Sequence, residues 1–220
     1  NKFTEQGSDL QKKEDGAGKV GREQGVARAI SEFIDTSLCW DDLDWFRSIT
    51  TMPICLKGVA CSEDAVMALR AGCAGIVLSN HGGRQLDTAR SGIEILAEVV
   101  PALDREDRTW RARMEVYVDG GVRRGSDIFK ALAMGATAVG IGRPVLYSLS
   151  AFGQAGVERM LQLLGEELTM VMRLMGTPTV RDINPRHVIT SSLGTHAGFE
   201  MRDNLMLDGY EPLRVARGKL

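Results

Sequence analysis

Four short apolar runs punctuate the middle of the chain: "PICLKG" at 53–58, "GIVLSN" at 75–80, "EVYVDG" at 115–120 and "AVGIG" at 138–142. Each is nearly continuous in hydrophobicity and partly β-branched, which predicts strands covered on both faces. Between the first two lies "SEDAVMALRAGC", and between the last two "GSDIFKALAMGAT". Both begin with a serine and an acid, carry apolar residues at helical spacing, and stop at Gly72 or Gly135. Superposed at an offset of 63, Val59 meets Val122, Asp64 meets Asp127, Leu69 meets Leu132 and Gly72 meets Gly135. A recurring strand–turn–helix–glycine–strand unit predicts parallel βα units with right-handed crossovers.

"IEILAEVVPAL" (93–103) supplies an intervening helix, and "GVERMLQLLGEELTMVMRLMG" (156–176) a long amphipathic one. Val157, Met160, Leu161, Leu164, Leu168, Val171, Met172 and Met175 fall on one stripe of the latter, with the methionines expected as core filler. Helical patterning also begins near Val26 and at Trp40, where Asp41 and Asp42 suit the positive helix end. Residues 1–26 mix charges, glycine and amides with few large apolar groups, the composition of a mobile polar loop or tail. The expected organisation is therefore that segment, a domain over 27–190, and an irregular tail over 191–220.

A parallel βα array is either a doubly wound sheet or a (β/α)8 barrel. The doubly wound reading wants a GxGxxG turn directly after the first strand, and no segment supplies one. The polar residues gather instead just past each strand's C-terminal end: Lys57; Ser79, His81 and Arg84; Asp119 and Arg123; Gly142 and Arg143. Barrel enzymes keep their chemistry at that rim. The expected fold is thus α/β, with parallel βα units forming the second half of a TIM (β/α)8 barrel. Only four strands are legible, so the first half is expected to be absent from this chain.

Composition narrows the function. At 220 residues and 24.0 kDa, with 44% hydrophobic and 25% charged residues, the chain can build one sizeable core. A net charge of -2 leaves no basic footprint for nucleic acid, and no apolar run is long enough to span a membrane. Cys39, Cys55, Cys61 and Cys73 form no CxxC pair and have no nearby histidine. They are expected to be reduced thiols, with Cys55 and Cys73 buried and no metal bound. The targeting region is expected to be absent, so mitochondrial and cytoplasmic settings both stay open.

"YVDGGVRRGSD" (117–127) and "GIGRPVLY" (140–147) come as a pair. Gly120 and Gly121 let backbone amides approach an anion, Arg123 or Arg143 can add forked hydrogen bonds, and a helix opening near Ser126 adds amide donors. Either motif alone could be a glycine turn with solvated arginines; one strand apart in a parallel array, they point to phosphate. Lys57 is either a snorkelling strand-end lysine or a cation aimed at developing negative charge. Asp119 is either a turn carboxylate or an acceptor for a ligand hydroxyl. His81, on a glycine-rich strand exit with Arg84 placed to fork onto a carboxylate, suits proton abstraction near neutral pH. Arg124, His187 and His196 are expected to face solvent.

"SNHGGRQLD", "DGGVRRGSD…KALAMGA…VGIGRP" and "PICLKGV" together resemble the FMN-dependent 2-hydroxy-acid oxidizing enzymes, whose members include glycolate and lactate oxidases, mandelate dehydrogenase and fungal flavocytochrome L-lactate dehydrogenases. The resemblance runs from about Gly25 to Ile183, and 25–59 looks most like the fungal lactate dehydrogenase branch. It implies His81 as active-site base, Arg84 as ligand of the substrate carboxylate, and Lys57 facing the N1/O2 edge of FMN. It further implies Ser79 as a flavin contact, and Asp119, Gly120, Gly121, Val122 and Arg123 around the ribityl chain and phosphate. Gly142 and Arg143 would finish the phosphate pocket.

The implied reaction oxidises a lactate-like (S)-2-hydroxy acid, with oxygen, a cytochrome or a quinone as acceptor, in a full-length homo-oligomer. In the family the first half-barrel carries further flavin contacts, substrate-binding tyrosines and the aspartate that orients the histidine; none of these segments is found in this sequence. Two alternatives follow. One is a non-catalytic remnant or partner-dependent fragment that binds a phosphate compound. The other is an IMP dehydrogenase-like phosphate-binding barrel, which would want a catalytic cysteine loop and is opposed by "SNHGGRQLD".

Overall fold

The computed structural model describes residues 37–86 and 88–193. The helical pattern near Val26, His196, and most of the expected tail lie outside them. Two compact units divide between Thr51 and Met52. In the described part of the first, α1 (Asp42–Ile49) buries Leu43, and Asp42 Oδ2 accepts a hydrogen bond from Cys39 N at 2.7 Å.

The second unit alternates strands and helices: β1 (Cys55–Val59), α2 (Ser62–Arg70), β2 (Gly75–Leu78), α3 (Gly92–Glu106), β3 (Glu115–Asp119), α4 (Gly125–Ala133), β4 (Ala138–Gly140) and α5 (Arg143–Leu174). The sheet is parallel throughout, in the order β1-β2-β3-β4. All four predicted strands are present. A doubly wound sheet reverses its strand order at a switch point; these four run in sequence without one.

Side chains alternate between the two faces of the sheet. Ile76, Leu78, Val116 and Val118 are fully or almost fully buried on one face. The opposite face carries Cys55, Lys57, Val77, Glu115, Tyr117, Asp119 and Ala138, and most of these are exposed or half-buried. The expectation of strands covered on both faces is therefore corrected to one covered face. A continuous apolar run measures hydrophobicity, not what lies opposite it. Cys55 is corrected with it: it opens edge strand β1 on the open face, whereas Cys73 is buried. All four cysteines are free thiols.

α2 and α4 are nine residues each and start 63 positions apart, as do β2 and β4; β1 and β3 start 60 apart. The connection after β3 is thus three residues longer than the one after β1. Those extra residues fall in 120–124, so Val59 sits in a strand while its counterpart Val122 sits in a loop, both buried. The predicted serine caps are also displaced. Ser62 and Ser126 lie inside their helices, behind caps Cys61 and Arg124, and neither cap makes a side-chain cap bond to the opening amides.

α3 approaches the sheet through Gly92, where a Cβ would fall 2.7 Å from Leu78 O and 2.9 Å from Val118 Cγ1. Its N-terminal side is pinned by Arg90, which pairs with Glu98 and donates to Ala60 O at 2.8 Å. α5 begins well before the predicted 156 and breaks at Gly153 (φ 62, ψ -150). Its predicted stripe is only partly buried: Leu164 is buried, while Leu161 and Met175 are exposed. Leu168, Val171 and Met172 pack on the cluster of Phe129, Ala133 and Ile183. Helix α4 covers only that arc, so the stripe outruns its partner.

Candidate active site

The C-terminal ends of the strands bring most of the predicted polar residues to one rim. Lys57, on β1, reaches across β2 to β3: its Nζ donates to Ser79 Oγ at 2.8 Å and pairs with Asp119 Oδ2 at 2.7 Å. Ser79 is completely buried, and its Oγ also accepts from His81 N at 3.0 Å. Asp119 Oδ1 is buried with no hydrogen-bond partner among the described residues. Such an atom costs about 1–3 kcal/mol unless a donor reaches it.

His81, Gly82 and Gly83 follow with φ of 55, 64 and 79. Left-handed backbone is natural for glycine and costs an L-residue roughly 1–2 kcal/mol, so His81 must be held there. Three neighbours do so. Ser79 Oγ takes the His81 amide, Asn80 Oδ1 takes the Gly83 amide at 3.0 Å, and the Arg143 guanidinium donates to Gly82 O at 3.0 Å. Asn80 also donates through Nδ2 to Ala89 O at 3.4 Å, tying the far end of the same loop. The His81 ring and the Arg84 guanidinium are exposed and make no hydrogen bond among the described residues.

The loop after β3 carries Gly120 (φ 82) and Gly121 (φ 79), the conformation glycine permits. A Cβ at Gly121 or Gly142 would meet nothing within 4 Å, so both open onto space. Arg123 and Arg143, next in sequence to these loops, have exposed side chains, and Val122 anchors its loop by burying its own.

Carboxylates already occupy three of the amides leading into α4. Asp127 Oδ2 accepts from Arg123 N and Arg124 N at 3.0 and 2.9 Å, and Glu167 Oε2 accepts from Gly125 N at 2.8 Å. Arg124 does not merely face solvent: its Nε donates to Glu167 at 3.0 Å. That guanidinium, and then the Gly125 amide, hold the Glu167 carboxyl below the usual carboxylate range. His187 is likewise engaged, its Nδ1 accepting from Asn184 N at 3.2 Å and its ring lying 5.9 Å from Phe129. Asn80 and Glu167 were not among the predicted residues. An asparagine before a glycine pair is a turn signal that could have flagged the first; the second acts across 42 positions and leaves no local trace.

A parallel βα sheet with a glycine corner and a histidine turn at one rim defines an α/β protein whose polar groups gather past the C-terminal ends of its strands. A family profile described as FMN-dependent dehydrogenase matches residues 3–190, and the chain belongs to that family. It is 45% identical over 197 residues to the L-lactate dehydrogenase (cytochrome) of Wickerhamomyces anomalus, covering 90% of this chain and 34% of that protein. It is 47% identical over 170 residues to glycolate oxidase 3 of Oryza sativa subsp. indica, covering 77% of this chain and 44% of that one. Among solved structures, the flavin-binding domain of baker's yeast flavocytochrome b2 superposes with a TM-score of 0.73 at 42% identity, over 90% of this chain and 50% of that chain. A mandelate oxidase superposes at 0.61 and 46% identity, over 67% of this chain and 45% of that one. The chain thus spans between about a third and a half of the relatives it matches.

The residues present fit FMN. A buried carboxylate oxygen without a donor suits a ligand hydroxyl, and two open glycine positions beside two exposed guanidinium groups suit a phosphate.

Proposed function

We propose that this chain is the C-terminal half of a (β/α)8 barrel that oxidises a lactate-like (S)-2-hydroxy acid to the 2-oxo acid with FMN. The observation that carries the reading is the buried, partnerless Asp119 Oδ1 beside the Lys57 ammonium, at the rim that also holds His81 and Arg143. FMN, when bound, supplies the acceptor for two electrons. Asp119 accepts a ribityl hydroxyl. Gly120, Gly121, Val122 and Arg123, with Gly142 and Arg143, surround the phosphate. Lys57 would lend positive charge to the bound flavin, and buried Ser79 keeps that ammonium in place.

Arg84 clamps the substrate carboxylate with its fork of donors, which fixes the 2-carbon against the exposed His81 ring. His81 takes the substrate proton through its exposed imidazole. The electron acceptor after flavin is oxygen, a cytochrome or a quinone.

The test mixes the purified chain with FMN, records the visible spectrum, and adds L-lactate anaerobically. A bound yellow flavin that bleaches is expected, and His81→Gln should bind FMN yet bleach at least about a hundredfold more slowly. A folded chain that takes up no FMN supports the non-catalytic remnant or partner-dependent fragment instead. Undiminished bleaching by His81→Gln overturns the assignment of the base.

A further inference from the structure

We infer that Arg143 is a positioning residue for the His81 turn, so that an anion seated at the β4 corner orders the loop that carries His81 and Arg84. This rests on the phosphate-binding reading above and assigns Arg143 a second task. Arg143 opens α5 directly behind Gly142, and its guanidinium is the one described donor to the carbonyl of Gly82. A Cβ on Gly82 would lie 3.4 Å from that same nitrogen, so the guanidinium rests against the glycine itself. Gly82 is the middle of three consecutive left-handed residues and directly follows His81, the one whose own backbone disfavours the turn.

One guanidinium carries five donors in a rigid fork. Here one nitrogen holds the turn and the remainder of an exposed side chain is open to a ligand. Without an anion, a long exposed side chain loses its rotamer freedom for a single hydrogen bond and opens often. With an anion on its outer donors, the same side chain is already fixed, and the bond to Gly82 O persists. Coupling of this kind is reciprocal: whatever orders the turn also tightens the anion. The histidine loop would then be in its working geometry chiefly when the phosphate corner is filled.

The experiment follows amide hydrogen exchange over residues 80–90 in the full chain. Inorganic phosphate is compared with chloride at equal ionic strength, and phosphate binding is measured separately by calorimetry. Phosphate should slow the Gly83 and Arg84 amides about tenfold while leaving the β2 amides unchanged. In Arg143→Lys, which keeps the charge and loses the fork, phosphate should bind more weakly, and at saturating phosphate the slowing should disappear. In Arg143→Ala without phosphate, those two amides should exchange faster than in the parent chain. Phosphate that binds without slowing them, or slowing that survives in Arg143→Lys, overturns the coupling and leaves the phosphate site standing. A folded chain that binds neither phosphate nor FMN overturns both.

Discussion

Lys57 Nζ and Asp119 Oδ2 stand 2.7 Å apart across a 62-residue separation, joining β1 to β3 over the top of β2. Ser79, buried on β2's exit, bonds the same ammonium, so three strands meet in one polar cluster. Nothing nearby in sequence pairs these residues; the parallel register does.

Because Lys57's side chain is 54% exposed and Asp119's 24%, the pair should be weakly coupled for folding. A double-mutant cycle of Lys57→Met and Asp119→Asn, read by urea unfolding, should return about 0.2–1 kcal/mol. A coupling well above 2 kcal/mol would mean that the cluster is closed off from water.

Helix contacts should be far more sensitive to volume. A Cβ at Gly125 would fall 2.2 Å from Leu168 N and 2.6 Å from Glu167 C, both backbone atoms that cannot yield. Gly125→Ala should destabilise by about 3 kcal/mol in chemical denaturation. Gly165, in the same region of α5, would meet nothing, and Gly165→Ala should stabilise by about 0.5–1 kcal/mol.

Acid should loosen the same joint. Glu167 has its carboxyl pKa lowered in the folded chain, first by Arg124 and then by the Gly125 amide. A lowered folded-state value contributes stability that is present above the ordinary glutamate pKa of about 4.3 and is lost as pH falls through the folded value. Thermal unfolding of Glu167→Gln should therefore show a shallower fall in midpoint below that pH than the parent chain, with the larger difference between them near neutrality.

Trp110 offers a test of the core between α3 and β3. It is buried, and its Nε1 donates to Asp104 Oδ1 at 2.8 Å. Trp110→Phe keeps most of the packing and leaves that carboxylate oxygen without the indole donor. The loss should be about 1–2 kcal/mol by urea titration, against roughly 3–5 kcal/mol for Trp110→Ala.

All four strands were readable because each is a β-branched run closed by glycine or a polar turn, a signal confined to a few residues. The convergence of Lys57, Ser79, His81, Asp119 and Arg143 was readable too, since parallel strands present their C-terminal ends to one rim. What escaped was set by distant partners. The capping of α4 by Glu167, and the exposure of Leu161 and Met175, depend on where α5 crosses its neighbour. The early start of α5 runs through Pro144 and Gly153, residue types that commonly interrupt helices. Proline is tolerated in a first helical turn, where its missing N–H has no partner to lose. Asn80's part depends on the left-handed Gly83 whose amide it takes, a dihedral no composition states.

The spacing mismatch between α2 and α4, which start 63 positions apart, and β1 and β3, which start 60 apart, carries a further lesson. Two copies of one scaffold differ by three residues in a connecting segment, and only the longer connection carries two left-handed glycines and two arginines. New chemistry can thus be installed in the slack between rigid parts, leaving the load of folding where it was.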